Sequence, residues 1–432
     1  MKILFKAIDN SPLIVFRILF GFLIACESFG AILTGWVKRV LTDPQFTFSF
    51  IGFEWLQPLP GFGMYFYFVL MGFFGLAIML GYRYRIAITS YTILWAGVYF
   101  MQKSSYNNHY YLLLLISFLL IFLPANKYAS LDVKQNRISE ENTMPYWINL
   151  LFIIQVGIVY VFASLAKFYP DWLDGTFTKN LLSGTTSRPF FLELFSQKWF
   201  YLFIAYAGIL FDLLIVPFLL FKKTRTLALI ASVIFHIFNS ITLQIGIFPF
   251  FALTFALFFY EPETIRRLFL RKKPKLEDEN LSQNLYGKRI VYFLMIPYLI
   301  IQIALPLRHH FIEGDVLWTE EGHRLSWRMM LRERNGYITI QIKDLKTGSV
   351  SIYNYRKNLT NKQAQNLATK PDFIWQYCQR IKEEYKGKPI AIYIDCKNSI
   401  NRKEYKSLID PNYDMAKAEW NYFAHNEWIL LY

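Results

Sequence analysis

Long apolar runs dominate the first three quarters of the chain, at residues 12–36, 62–82, 86–101, 110–125, 147–168, 199–221, 226–241, 244–260 and 290–307. A bilayer crossing needs roughly 20 apolar residues. Several runs are shorter than that and sit back to back, so the pattern predicts eight or nine transmembrane helices. The first run lacks a small-residue cleavage site and reads as an uncleaved signal-anchor. After Leu307 the character changes. Residues 337–342 and 350–353 alternate apolar with polar, 362–385 follow a helical period, and 390–394 form another strand after Gly387 and Pro389. The prediction is a polytopic α-helical membrane protein over residues 1–311, with an α/β, strand-rich domain over 312–432.

Composition sharpens this picture. Of 432 residues, 54% are hydrophobic, 19% aromatic and only 18% charged, with a mean hydropathy of +0.26. Soluble domains carry about 25% charged residues, so a disordered chain and an ordinary soluble enzyme are excluded. The formal charge of +15 invites a nucleic-acid reading, which the placement of the basic residues removes. With the N-terminus in the cytoplasm, Arg83 and Arg85, Lys127 to Arg137, Lys222, Lys223 and Arg225, and the dense set from Arg266 to Lys275 fall on one side. That is the positive-inside pattern, and the charge then reports topology and anionic lipid headgroups. Nine crossings put the strand-rich domain outside the cytoplasm, as in a multi-pass protein of a bacterial inner membrane. Cys26, Cys378 and Cys396 are too few for a disulfide framework, and whether Cys378 pairs with Cys396 stays open. No histidines sit three or four apart and no CxxC is present, so a metal is disfavoured.

In so apolar a chain the ionisable residues within spans are informative. His109, His236, His309 and Lys167 lie on four spans, and the topology carries all of them to the outer side of the membrane. Each has a plain structural explanation as well: Lys167 as an interfacial snorkelling lysine, His236 as a core histidine, His310 as a surface residue. Asp212, in mid-span, needs a partner wherever it sits, and Arg17 and Glu27 suggest none by spacing. A lysine in hydrocarbon becomes a usable general base, and imidazole N–H groups can hold an oxyanion. The natural client is a lipophilic molecule with an acidic hydroxyl, such as a quinol.

The order of short motifs resembles the vitamin K-dependent gamma-glutamyl carboxylase family, in its bacterial horizontally transferred transmembrane domain form. They include Phe16-Arg17-Ile18-Leu19-Phe20-Gly21, Leu56-Gln57-Pro58-Leu59-Pro60, Tyr106-Asn107-Asn108-His109, Ala166-Lys167-Phe168-Tyr169-Pro170, Phe235-His236-Ile237-Phe238-Asn239, Ser326-Trp327-Arg328-Met329-Met330 and Ser399-Ile400-Asn401-Arg402. The resemblance implies an enzyme that oxidises a reduced vitamin K or menaquinone-type hydroquinone with O2 to the epoxide. The strong base so formed removes a glutamate γ-proton, and the carbanion adds CO2. It implies Lys167 as the base, Asn108 and His109 as oxyanion support, and His236 and His309 as further polarising groups. His323, Trp327, Met329 and Met330 would lie near the quinone, and Arg332 and Arg334 could receive a glutamate-containing peptide. Ala166 stands where vertebrate members carry a second lysine, and His323 where they carry a tyrosine. Vertebrate chains also run far beyond the position of Trp428, so the quinol half of the chemistry is the better supported. Two alternatives remain: a quinol epoxidase without peptide carboxylation, and a lipid- or quinone-binding transporter with a histidine proton relay.

Overall fold

The computed structural model of the protein describes residues 2–184, 189–243, 246–276 and 286–432. The start of the run predicted at 244–260 therefore lies partly outside the described residues. The helical part comprises α1 (Ser11–Leu33), α2 (Gly63–Leu80), α3 (Tyr84–Met101), α4 (Asn108–Ile121), α5 (Tyr146–Leu165), the short α6 (Thr176–Ser183), α7 (Lys198–Leu220), α8 (Arg225–Leu243), α9 (Phe248–Thr254) and α10 (Ile296–Leu307). Five helices are long and apolar enough to cross a membrane: Ser11–Leu33, Gly63–Leu80, Tyr146–Leu165, Lys198–Leu220 and the composite Lys288–Phe311. Asn108–Ile121, Arg225–Ile241 and Phe248–Phe258 are apolar but shorter. Among the described residues, five of the eight or nine expected transmembrane helices thus reach full length. A helix of 14 residues such as α4 reaches only about 21 Å, and its inner residues Leu112, Ile116 and Leu120 pack against protein.

The helix ends sort into two groups. At one end Lys273 Nζ meets Asp9 at 2.6 Å, Asn10 Oδ1 at 2.6 Å and the Asn142 carbonyl at 3.1 Å. There the buried Asp132 carboxylate caps α3, accepting from the backbone N–H groups of Arg83 at 2.8 Å and Tyr84 at 3.0 Å. The basic loops gather at this end. Between the ends α1 and α2 cross closely, because a Cβ on Gly21 would lie 2.3 Å from the Met79 nitrogen and one on Gly75 2.8 Å from the Ala25 nitrogen. Close approach through small residues is how helices gain packing energy where lipid offers no hydrophobic drive.

The opposite end carries the strand-rich domain, a four-stranded antiparallel sheet in the order β4–β3–β5–β6. These strands are β3 (Arg334–Asp344), β4 (Val350–Ile352), β5 (Ile390–Ile400) and β6 (Lys406–Ser407); β1 (Ala7–Asp9) and β2 (Thr143–Pro145) pair at the basic end. On the inner face Ile338 faces Cys396, Ile340 faces Ile394 and Ile342 faces Ile392, the period-two pattern that the sequence displays. The single helical stretch expected at 362–385 is two helices, α11 (Asn361–Thr369) and α12 (Pro371–Glu384). Pro371 forces Lys370 into an extended conformation (φ −131°, ψ 116°) and breaks the helix there. Thr360 and Gln363 form a capping box that starts α11. Both Cys378 and Cys396 are free thiols buried in this core, and burial raises the Cys396 thiol to about 12. Phe48, from the α1–α2 connection, inserts into the same core, its ring 4.7 Å from that of Phe373.

Candidate active site

An apolar cavity of about 240 Å³ sits between α5, α7 and α8, with α6, α9, His109 at the start of α4, and the Met329–Met330 loop completing its wall. Lys167, in the turn after α5, and Asp212, in the middle of α7, form a buried ion pair inside it. Lys167 Nζ also donates to the Ala163 carbonyl at 3.2 Å and lies 5.4 Å from the Trp172 ring centroid, within cation–π range. An intramembrane carboxylate persists only with a partner; here the partner is the predicted base.

Two of the predicted histidines share this cavity. The His109 ring stacks on Phe248 with centroids 3.6 Å apart. His236, on α8, has Nε2 3.0 Å from the Tyr160 hydroxyl, while its Nδ1 is buried with no protein partner among the described residues. A buried, unmatched imidazole nitrogen is costly unless something else satisfies it. Around these groups the wall is carbon: Leu112, Val156, Val159, Phe235, Phe248 and Phe255 among others. The arrangement can hold a largely apolar molecule and exchange a proton with it.

Other predicted residues fall elsewhere. Asn108 is held by its neighbours, accepting from the Tyr106 hydroxyl at 2.9 Å and donating to the Arg328 carbonyl at 3.2 Å. It thereby ties the start of α4 to the loop that carries Met329 and Met330. Trp327 is fully buried against Tyr111, ring centroids 4.9 Å apart, outside the cavity wall. His323 also lies apart; desolvation and then the Arg332 charge hold it well below its usual range, and therefore neutral. Arg332 and Arg334 both pair with Glu320, Arg334 at 3.2 Å. Burial would raise Glu320, but the Arg332 and Arg334 charges outweigh it and hold the carboxyl well below the usual range. Both guanidiniums are nearly enclosed, so they are engaged within the domain rather than presented to an incoming peptide.

His309 belongs to a second cavity, of about 800 Å³, between the outer ends of α5 and α10 and the strand-rich domain. Its Nδ1 lies 2.8 Å from the Pro306 carbonyl and its Nε2 3.4 Å from Arg328 Nη1. His310, Asp171, Lys403 and Trp318 also line this space, with Lys403 2.5 Å from Asp171. Ala166 and Phe168 face the second cavity while Lys167 faces the first, so the turn after α5 is the partition between them. Among the described residues no group of three or more His, Cys, Asp and Glu side chains could hold a metal ion. Sequence reasoning noted that Asp212 needs a partner but did not pair it with Lys167, and it missed the contact of Tyr160 with His236. The signal for Asp212 was its mid-span charge; the polar tip of Tyr160, among so many aromatic residues, gave none.

Fold and cavity together define a helical membrane protein whose chemically equipped cavity lies beneath a strand-rich domain. A family model described as HTTM domain matches residues 5–263, and another, vitamin K-dependent gamma-carboxylase, lumenal domain, matches residues 287–432. The chain belongs to this HTTM-domain carboxylase family, as its motifs implied, and is a gamma-carboxylase-like membrane protein. The second match takes in the last membrane helix as well as the strands. No solved structure matches the chain.

Proposed function

We propose that the protein oxidises a reduced naphthoquinone of the vitamin K or menaquinone type with O2 and couples this to the carboxylation of a glutamyl side chain by CO2. The observation that carries the reading is the Lys167–Asp212 pair, buried in one apolar cavity with His109 and His236. A lipophilic quinol fits the donor set: carbon walls, an acid–base pair and an unmatched His236 Nδ1. When bound, the quinol supplies the electrons for O2. Lys167, positioned by its ion pair with Asp212, is the group placed to take the hydroxyl proton. His109 and His236 stabilise the negative charge that develops, and the Tyr160 hydroxyl fixes the His236 ring. Asn108 is then a positioning residue, and Trp327 and His323 support the loop rather than touch the quinol.

We assign the carboxylate-bearing co-substrate to the second cavity, where Arg328, His309 and His310 face it while Lys403 is held by Asp171. Arg332 and Arg334 act on that substrate indirectly in this reading. The shorter helices, counted with the five long ones and α3, give nine passes. Residues 312–432 and both cavities then lie on the extracytoplasmic side, and the basic loops on the cytoplasmic face of a bacterial inner membrane.

The test is to give purified protein a reduced menaquinone analogue, O2, labelled bicarbonate and a glutamate-containing peptide. Epoxide together with labelled peptide supports the proposal. Epoxide without label would reduce the function to quinol oxidation. Neither product would leave a quinone-binding or transport role.

A further inference from the structure

A third cavity, of about 290 Å³, lies away from both of these, where the α1–α2 connection, the 320–325 loop and residues 420–423 meet. Phe50, Phe53, Tyr422 and Phe423 wall it, and six charged side chains line it: Lys103, Arg308, Glu320, Glu321, Arg324 and Asp372. The three carboxylates are already engaged. Glu320 holds Arg332 and Arg334. Glu321 takes His425 at 2.8 Å, and the Asn426 backbone and side-chain nitrogens at 2.8 and 2.7 Å. Asp372 takes Lys103 at 2.8 Å and Arg324 at 2.6 Å.

Arg308 is left over. Among the described residues it has no carboxylate partner; its Nη2 donates to the Arg324 carbonyl at 2.7 Å and its Nε is buried with no partner. The indole Nε1 of Trp420 is likewise buried and unmatched. Buried donors without acceptors, one of them cationic, lose their hydration and gain nothing in return. A bound oxyanion would satisfy both.

We propose that this cavity is an oxyanion site, in which Arg308 and the Trp420 indole N–H bind a phosphate- or carboxylate-type group. The anion would come either free from solution or as the headgroup of an anionic lipid, since the aromatic wall ends in Phe423, which is 72% exposed. Lys103 and Arg324 are not available as partners, because Asp372 already holds them.

The experiment uses the full chain in nanodiscs of neutral phosphatidylcholine. Inorganic phosphate and bicarbonate are titrated while thermal stability is followed; a parallel sample carries phosphatidylglycerol, with retained lipid read by native mass spectrometry. A saturable shift with a free anion, or selective retention of phosphatidylglycerol, supports the proposal and identifies the source. Arg308→Gln is expected to weaken binding by at least about tenfold, as loss of a charge-assisted bond does. Trp420→Phe keeps the ring, removes one donor and is expected to cost about fivefold; it carries the test if Arg308→Gln fails to fold. Absence of any saturable response, or wild-type affinity in a folded variant, overturns the proposal.

Discussion

Removing one member of the Lys167–Asp212 pair separates a catalytic role from a purely structural one. The two side chains are 10% and 6% exposed, so neither Lys167→Met nor Asp212→Asn lets water reach the remaining charge easily. Breaking a buried pair from one side costs about 3–5 kcal/mol, whereas replacing both members by apolar residues of similar volume is close to neutral. Lys167→Met and Asp212→Asn should therefore each lower stability by about 3–5 kcal/mol, and Lys167→Met with Asp212→Leu should recover most of it. Activity should behave differently. A general base contributes about 10²–10⁴-fold, so epoxide formation should fall by that factor in both single variants and remain low in the double variant. Lys167→Ala should regain part of its turnover with an added small amine. Denaturant unfolding followed by tryptophan fluorescence, beside an epoxide assay on the same preparations, reads both quantities. Unchanged turnover in Asp212→Asn, or full activity in the stable double variant, would refute the argument.

Four further outcomes follow from the geometry. Burial would raise Asp372, but Arg324 and Lys103 outweigh it and hold the carboxyl at about 2, against an ordinary 3.8. Its stabilising contribution is thus fully present above 3.8 and lost as pH falls through about 2; limited proteolysis between the domains across that window checks it. Gly21→Leu should disrupt the α1–α2 crossing by well over the ~1–3 kcal/mol typical of overpacking, because backbone rather than a flexible side chain opposes the new Cβ; yield and melting temperature in detergent report it. A tag after Tyr432 should react with impermeant reagents from the extracytoplasmic side. Cys378 and Cys396 should resist thiol reagents in the folded protein and label only after unfolding, since both are buried.

Much of this architecture is legible from the chain. Alternation in 337–342 predicts the inward face of β3, because a sheet with one wet side must alternate. Lys167, His109 and His236 can be gathered by counting membrane crossings, since topology fixes the depth at which each sits. What spans and charges cannot supply is pairing. Asp212 is 45 residues from Lys167, on a helix of its own, and only packing brings the two together. The fate of Arg332 and Arg334 depended on Glu320, which folds back as a buried counter-ion. His309 faces the partition from the other side, because an 800 Å³ space between domains leaves no trace in a periodicity. The break at Pro371 was readable and the expected 362–385 helix ran through it, an error of punctuation rather than of propensity.

The insertion of Phe48 into the strand-rich core imposes an order of events on biosynthesis. Gln363, which donates to the Phe46 carbonyl at 2.8 Å, lies 317 residues downstream. The aromatic hook must therefore leave the translocation machinery and wait, unclasped, while every remaining helix is threaded. Only the last quarter of the polypeptide can complete it, and that late clasp joins the two matched modules.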